Sequence, residues 1–162
     1  MAEKTGKPEK KKDDGLKVPW RLNVEYEYAA GYFATRFFRE LRDTGRIWGV
    51  RCPSCQRVYI PPRPVCGICA AKTAEWVEVS DEGVIVGCTV VNVPFIDPMT
   101  GEQRPVPYGF AIIRLDGAST ALYHFLEETD PKKLAVGKRV KAVFRPERQG
   151  TMLDIKHFRL LE

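Results

Sequence analysis

Residues 28–45, "YAAGYFATRFFRELRDTG", place Ala30, Phe33, Ala34, Phe37, Phe38 and Leu41 at helical spacing. Arg36, Arg39, Glu40 and Arg42 fill the opposite face, and Gly45 is a natural stop. The pattern predicts one amphipathic helix of roughly three to four turns. Its apolar stripe is rich in aromatic rings: Tyr32, Phe33, Phe37 and Phe38. Such a stripe must be covered, either by the chain's own core or by a partner protein, and both remain open here.

After the helix the period changes from 3.6 to 2. "RIWGVRCPSC" and "RVYIPPRPVCGIC" read as two short strands, each beside a pair of cysteines. Pro61, Pro62 and Pro64 force an extended link between the cysteine pairs. From Trp76 onward come "EWVEVS", "GVIVGCTVVNV", "YGFAIIRLD", "STALYHFLE", "GKRVKAVFR" and "TMLDIKHFRLL", short runs rich in β-branched and aromatic residues. Turn signals at Asp81-Glu82-Gly83, Asp116-Gly117, Val136-Gly137 and Gln149-Gly150 divide them. Five or six short strands of this kind predict a small barrel or sandwich. "TDPKKLAVG" offers one helical turn between strands, and "PFIDPMTGEQRPVP" (94–107) is a long proline-rich loop. The expected division is a charged flexible tail over 1–19, a helical segment over 20–45, a metal-binding ribbon over 46–76 and a β domain over 77–162.

The ribbon assignment comes from Cys52, Cys55, Cys66 and Cys69, spaced Cys-x2-Cys-x10-Cys-x2-Cys. Zinc takes four thiolates in a tetrahedron, and each Cys-x-x-Cys turn presents two of them. A redox dithiol is the rival, but neither pair opens a helical pattern and Pro53 separates the first two sulfurs. Four cysteines close the shell, leaving no position for water or substrate, so the expected zinc is structural, one per chain.

Composition narrows the picture only a little. The chain has 162 residues, 44% hydrophobic and 29% charged, which supports one folded unit with an appendage. A net charge of +5 permits an anionic partner without selecting one. The five lysines among the first twelve residues are nearly balanced by Glu3, Glu9, Asp13 and Asp14, so a solvated tail is expected there. No apolar secretory leader is present in the sequence, and the run Gly83–Ile96 is too short to cross a bilayer. A cytoplasmic setting is therefore expected, which keeps the thiols reduced.

Nothing in the pattern builds an active site, so no catalytic residue is assigned. Cys88 lies mid-strand and reads as a small core residue. His124 and His157 sit on apolar strands with no nucleophile paired to them in sequence, and Asp97 and Glu102 read as solvated loop carboxylates. Gly-x-Ser-x-Gly, phosphate-loop and His-Glu-x-x-His motifs are absent from the sequence.

The order of helix, "GRIWGVRCPSCQRVYIPPRPVCGIC", "EWVEVSDEGVIVGCTVV", proline-rich loop, "PYGFAIIRLDGA" and "VGKRVKAVF" resembles the DUF35 family over roughly residues 26–162. The resemblance implies a mainly β fold with an N-terminal helix, a rubredoxin-like zinc ribbon and a C-terminal OB-fold barrel. It makes Cys52, Cys55, Cys66 and Cys69 the zinc ligands one by one. It also implies a non-catalytic accessory subunit of a thiolase-fold acyl-CoA enzyme in a hetero-oligomer. Similar partners include acetoacetyl-CoA thiolase with hydroxymethylglutaryl-CoA synthase, benzoylsuccinyl-CoA thiolase, and steroid side-chain aldolases or hydratases. A shared CoA thioester needs basic groups for its phosphates and an apolar groove for its arm. Arg57, Arg63 and Arg104 are the candidates for the first, Phe95 and Tyr108 for the second. Tyr32, Phe33, Phe37 and Phe38 are the candidates for the partner interface, since an obligate subunit can bury such rings against its neighbour. The alternative is a nucleic-acid module, because zinc ribbons and OB barrels both bind nucleic acid. Its best segment, "KRVKAVFR", alternates as a core-facing strand does.

Overall fold

The computed structural model describes residues 15, 19, 28–96, 101 and 103–161. The expected tail over 1–19 and the start of the expected helical segment lie almost wholly outside them, as do Asp97 and Glu102.

The helix forms where its apolar period runs. It is α1 (Gly31–Thr44), ended by Gly45 in the left-handed region at φ 68°, whose N–H bonds the Leu41 carbonyl. Arg148 reaches across and donates from Nε to the Arg42 carbonyl at 2.8 Å, satisfying another carbonyl of the last turn.

Next come β1 (Ile47–Arg51) and β2 (Val58–Tyr59), with the first cysteine pair between them. β3 (Glu75–Val79) returns after the second pair and lies on the other side of β1, so the sheet order is β2-β1-β3. The strand expected to open the β domain is thus the third strand of the ribbon sheet. Ladder pairing of Ile47 with Val79 and of Val50 with Trp76 explains this: the inward positions of the two strands match across five residue pairs.

The barrel proper is β4 (Glu82–Val91), β7 (Tyr108–Leu115), β8 (Leu122–Leu126), β9 (Arg139–Phe144) and β10 (Ile155–Leu160), closed in the order β10-β8-β7-β4-β9. β10 runs parallel to β8 and antiparallel to β9, the Greek-key closure of an OB fold. β4 pairs with both β7 and β9, and a register shift between Ile85 and Gly87 bends it around the barrel. The proline-rich loop is not wholly irregular: β5 (Phe95–Ile96) and β6 (Gln103–Arg104) pair as a short antiparallel ribbon. "TDPKKLAVG" is a hydrogen-bonded turn closed by Lys133 N–H on the Asp130 carbonyl, shorter than a helix. Met152–Asp154, expected as the start of the last strand, is a 3-10 turn.

One core joins the pieces. Phe158, Ile155, Val140, Ile85 and Ile113 fill the barrel, and Phe37, Leu41, Ile47, Val58, Ile60 and Val79 bring the helix and ribbon onto the same cluster. A second, small cluster of Val50, Cys52, Tyr59 and Cys66 lies under the sulfurs. The boundary expected near residue 76 falls inside β3 of the ribbon sheet, and apolar packing runs across it.

Ribbon and barrel are also stitched by hydroxyls. Among the described residues the outward edge of β2 has no strand partner. Instead Val58 N–H donates to Ser119 Oγ at 3.1 Å and Ser119 N–H to the Val58 carbonyl at 2.8 Å. Ile60 N–H donates to Thr120 Oγ1, which donates in turn to the Ile60 carbonyl, both at 2.8 Å.

The aromatic stripe of α1 divides between the two clusters. Phe37 is only 1% exposed in the main core, and Phe38 packs against it. Phe33 stacks on Trp76 with ring centroids 5.8 Å apart, and Arg36 covers Trp76 at 4.4 Å. Tyr32, edge-on to Phe33, stays 65% exposed. The expectation that Phe37 faces a partner is corrected: the chain's own sheet covers it, because α1 lies against β1 rather than standing clear of it.

Candidate metal centre and adjoining surfaces

Each cysteine pair sits on a tight turn, and the two turns repeat one geometry. Gln56 N–H bonds the Cys52 carbonyl at 3.0 Å, and Ala70 N–H bonds the Cys66 carbonyl at 3.1 Å. Cys52 N–H reaches the Arg57 carbonyl and Cys66 N–H the Ala71 carbonyl, both at 2.9 Å. The residue after the second cysteine turns left-handed in both, Gln56 at φ 59° and Ala70 at φ 55°. The spacer is held by Thr73, whose N–H meets the Pro64 carbonyl at 3.0 Å and whose hydroxyl bonds the Arg63 carbonyl.

This brings all four sulfurs within 4.8 Å of one another. Cys52 and Cys69 Sγ lie 3.4 Å apart, Cys55 and Cys66 Sγ 3.6 Å apart. A tetrahedron with zinc–sulfur bonds of 2.3 Å has edges of about 3.8 Å, so the donor set and its spacing fit the ion. None of the five cysteines is in a disulfide.

The surroundings stabilise thiolate unevenly. The Tyr59 hydroxyl beside Cys66, with the N–H groups of Cys69 and Ile68, holds the Cys66 thiol down at about 5. The Ala71 N–H draws Cys69 below the ordinary thiol range. At Cys55 the Arg57 N–H pulls downward, yet burial and the three neighbouring sulfurs outweigh it and push the thiol up to about 11. Burial and the crowding of sulfurs thus favour keeping a proton within the cluster when no metal is bound. Zinc binding must displace that proton.

The other candidate residues fall into two places. Phe95 pairs with Arg104 across the β5–β6 ribbon, and the Arg104 guanidinium lies 3.6 Å from the Phe125 ring centre and 5.7 Å from that of Tyr108. Around them Tyr108, Phe110, Tyr123 and Phe125 form a run of ring contacts on β7 and β8. Phe95, Ile96 and Tyr123 are each more than half exposed. Arg57 and Arg63 belong to the ribbon instead: Arg57 is exposed, and Arg63 lies over the Tyr59 ring at 4.8 Å. Phe125, Phe110 and Tyr123 were missed by sequence reasoning. The alternation of β8 places Tyr123 and Phe125 together on one face, and that signal was available.

The histidines are both structural in their contacts. His124 is buried; Nε2 donates to the Met152 carbonyl at 3.0 Å, and Nδ1 accepts the Phe125 N–H at 2.9 Å. Burial, with Arg104 and His157 adding to it, pushes its pKa below 6.5. A group whose folded pKa is depressed this way favours the neutral folded form. Its contribution is complete above pH 6.5 and is lost as the pH falls from there through the folded value, with a slope of up to about 1.4 kcal/mol per pH unit. We expect the chemical-denaturation midpoint of the wild-type chain to fall faster between pH 7 and pH 5 than that of His124→Leu. Parallel curves for the two proteins would contradict this. His157 lies 3.6 Å from Glu127, and Cys88 packs against the main core.

The strand "KRVKAVFR" is β9. Val140 and Ala142 point into the barrel, while outward Arg139 pairs with Asp116 at 2.6 Å and Lys141 with Glu82 at 3.0 Å. Two of its cations, Arg139 and Lys141, are already matched by carboxylates, which weakens it as a phosphate-binding face. Among the described residues no helix is long and apolar enough to cross a membrane.

Fold and sulfur cluster together define a two-module protein, a zinc ribbon carried on an OB barrel. The family description "ChsH2, rubredoxin-like zinc ribbon domain" matches residues 39–73, and "ChsH2, C-terminal OB-fold domain" matches residues 76–145. A DUF35 domain-containing scaffold protein of Methanocaldococcus jannaschii is 32% identical over 111 residues, covering 68% of this chain and 75% of that one. Its counterpart in Methanothermobacter thermautotrophicus is 28% identical over 116 residues, 70% of this chain and 83% of that one. The chain belongs to the DUF35 family. Among solved structures, the Ltp2-ChsH2(DUF35) aldolase superposes with a TM-score of 0.60 at 24% identity over 82% of this chain and 98% of that one. A DUF35 protein of unknown function from Sulfolobus solfataricus gives 0.53 at 24% identity, covering 77% and 81%. These two likenesses bear on the fold.

Proposed function

We propose that this chain is a non-catalytic accessory subunit of a thiolase-fold acyl-CoA enzyme, and that it stabilises the catalytic partner and helps bind or channel the CoA thioester. The observation that carries the proposal is the 32% identity to a scaffold protein over three quarters of its length. The fold likeness to an aldolase that contains a DUF35 chain points the same way. Two features of the chain itself support it. The four sulfurs form a closed set with no place for substrate, and both histidines are spent on structural contacts. Thiolytic cleavage or condensation of an aromatic acyl-CoA, such as benzoylsuccinyl-CoA, is the reaction class proposed for the complex.

In this proposal Phe95, Arg104 and Tyr108 form one wall of the CoA groove, with Arg57 and Arg63 offering positive charge from the ribbon. Tyr32, Phe33 and Phe38 supply the helix side of the interface. Co-expression with candidate thiolase subunits tests it. The expected result is a stable hetero-oligomer whose acyl-CoA cleavage is lost when this chain is omitted. A chain that purifies alone from its native extract and retains oligonucleotide at physiological salt would overturn the proposal in favour of the nucleic-acid module.

A further inference from the structure

We infer that Tyr59 is a positioning residue of the zinc shell: its hydroxyl clamps the Cys66 sulfur and lowers that sulfur's reactivity. The inference rests on the four cysteines holding zinc. Tyr59 is 4% exposed and lies in the small cluster with Val50, Cys52 and Cys66. Its hydroxyl oxygen is 3.0 Å from Cys66 Sγ. A zinc-bound cysteine has no proton to give, so the phenol must be the donor. The register that pairs Tyr59 with Val50 turns the ring under the second cysteine turn, and the Arg63 guanidinium caps it 4.8 Å from the ring centre. Backbone and side chain thus converge on one sulfur: Ile68 N–H meets Cys66 Sγ at 3.4 Å.

Four thiolates around one Zn2+ carry two excess negative charges, and a buried site has little water to spread them. Donors aimed at sulfur take up part of that charge. Cys66, buried and doubly hydrogen-bonded, becomes the inert corner of the shell. Cys69, at the exposed corner, is the sulfur an electrophile meets first. Arg63 packs over the same ring.

Tyr59→Phe keeps the ring and removes the clamp. In the zinc-loaded protein, metal transfer to the chelator 4-(2-pyridylazo)resorcinol should be about tenfold faster or more, the usual cost of losing an outer-shell partner. In the Co2+-substituted protein the sulfur-to-cobalt charge-transfer band should move to lower energy, because the sulfur lone pair has lost its hydrogen bond. A purely structural role for the ring would leave the band where it is. Unchanged transfer rate and unchanged band overturn the inference. A wild-type chain that binds neither zinc nor cobalt sinks the zinc assignment itself, a distinguishable result. Should the variant not fold, the chain made with fluorotyrosine gives the opposite sign: a more acidic phenol moves the band to higher energy, and an unmoved band overturns the inference.

Discussion

Cys66→Ser is expected to cost the chain its zinc and, with it, the ribbon. A serine oxygen is a poor fourth donor for a thiolate shell, and the three remaining sulfurs leave one corner open. The apolar support is small. Only Val50, Cys52, Tyr59 and Cys66 are buried in the ribbon's own cluster. Metal binding in small zinc modules is worth about 10–16 kcal/mol, more than four side chains of this size contribute by burial. The metal term therefore outweighs what the ribbon's own cluster contributes. The damage should spread, because Val58 and Ile60 of the ribbon belong to the same core as the barrel strands. Zinc content by mass spectrometry should fall from one per chain to near zero after mild chelation, with a matching drop in the thermal midpoint. A metal-free variant melting at the wild-type temperature would refute the structural role of the ion.

The second large effect is expected at Asp154, far from the sulfurs. This carboxylate is 2% exposed and accepts three backbone N–H groups: Gln149 and Gly150 at 2.8 Å, Thr151 at 3.2 Å. It also completes a capping box with Thr151, whose side chain accepts the Leu153 N–H. The loop it organises carries Arg148 to the end of α1. Asp154→Ala takes the acceptor from three backbone donors that converge on a carboxylate only 2% exposed. Roughly 3–5 kcal/mol of stability should go, since each orphaned donor costs about 1–3 kcal/mol and neighbours relax only in part. For a chain of this size that is on the order of 10 °C in the thermal midpoint. Asp154→Asn retains an acceptor and should lose less. Equal losses for the two variants would mean that the side chain's volume, rather than its hydrogen bonds, matters.

The sulfur cluster and the helix were legible in the sequence for the same reason: both are local. A Cys-x-x-Cys turn and a 3.6-residue stripe declare themselves within a few residues. The barrel strands were legible as alternating runs, and their Greek-key closure came with the family resemblance. What escaped depends on pairing between distant segments. "EWVEVS" has the same texture as the barrel strands, and only its match to Ile47–Arg51 sends it to the ribbon. The short β5–β6 ribbon hides in a loop whose prolines argue against any ladder. Phe37 reads the same whether a partner or the chain's own sheet covers it. Tyr59 carries no sign of its neighbour, because β2 and the second cysteine turn meet only after the proline-rich link has folded back.

The hydroxyls of Ser119 and Thr120 have a consequence for solubility. A two-residue strand at the edge of a three-stranded sheet would present bare N–H and C=O groups, an open template for strand addition by another copy of the chain. Here Val58 on that edge and Ile60 just past it have backbone donor and acceptor taken by side chains and backbone of one short loop. Two small polar side chains outside the buried core thus act as a guard against polymerisation along that edge. At high protein concentration that cover keeps the ribbon edge closed to a second copy of the chain.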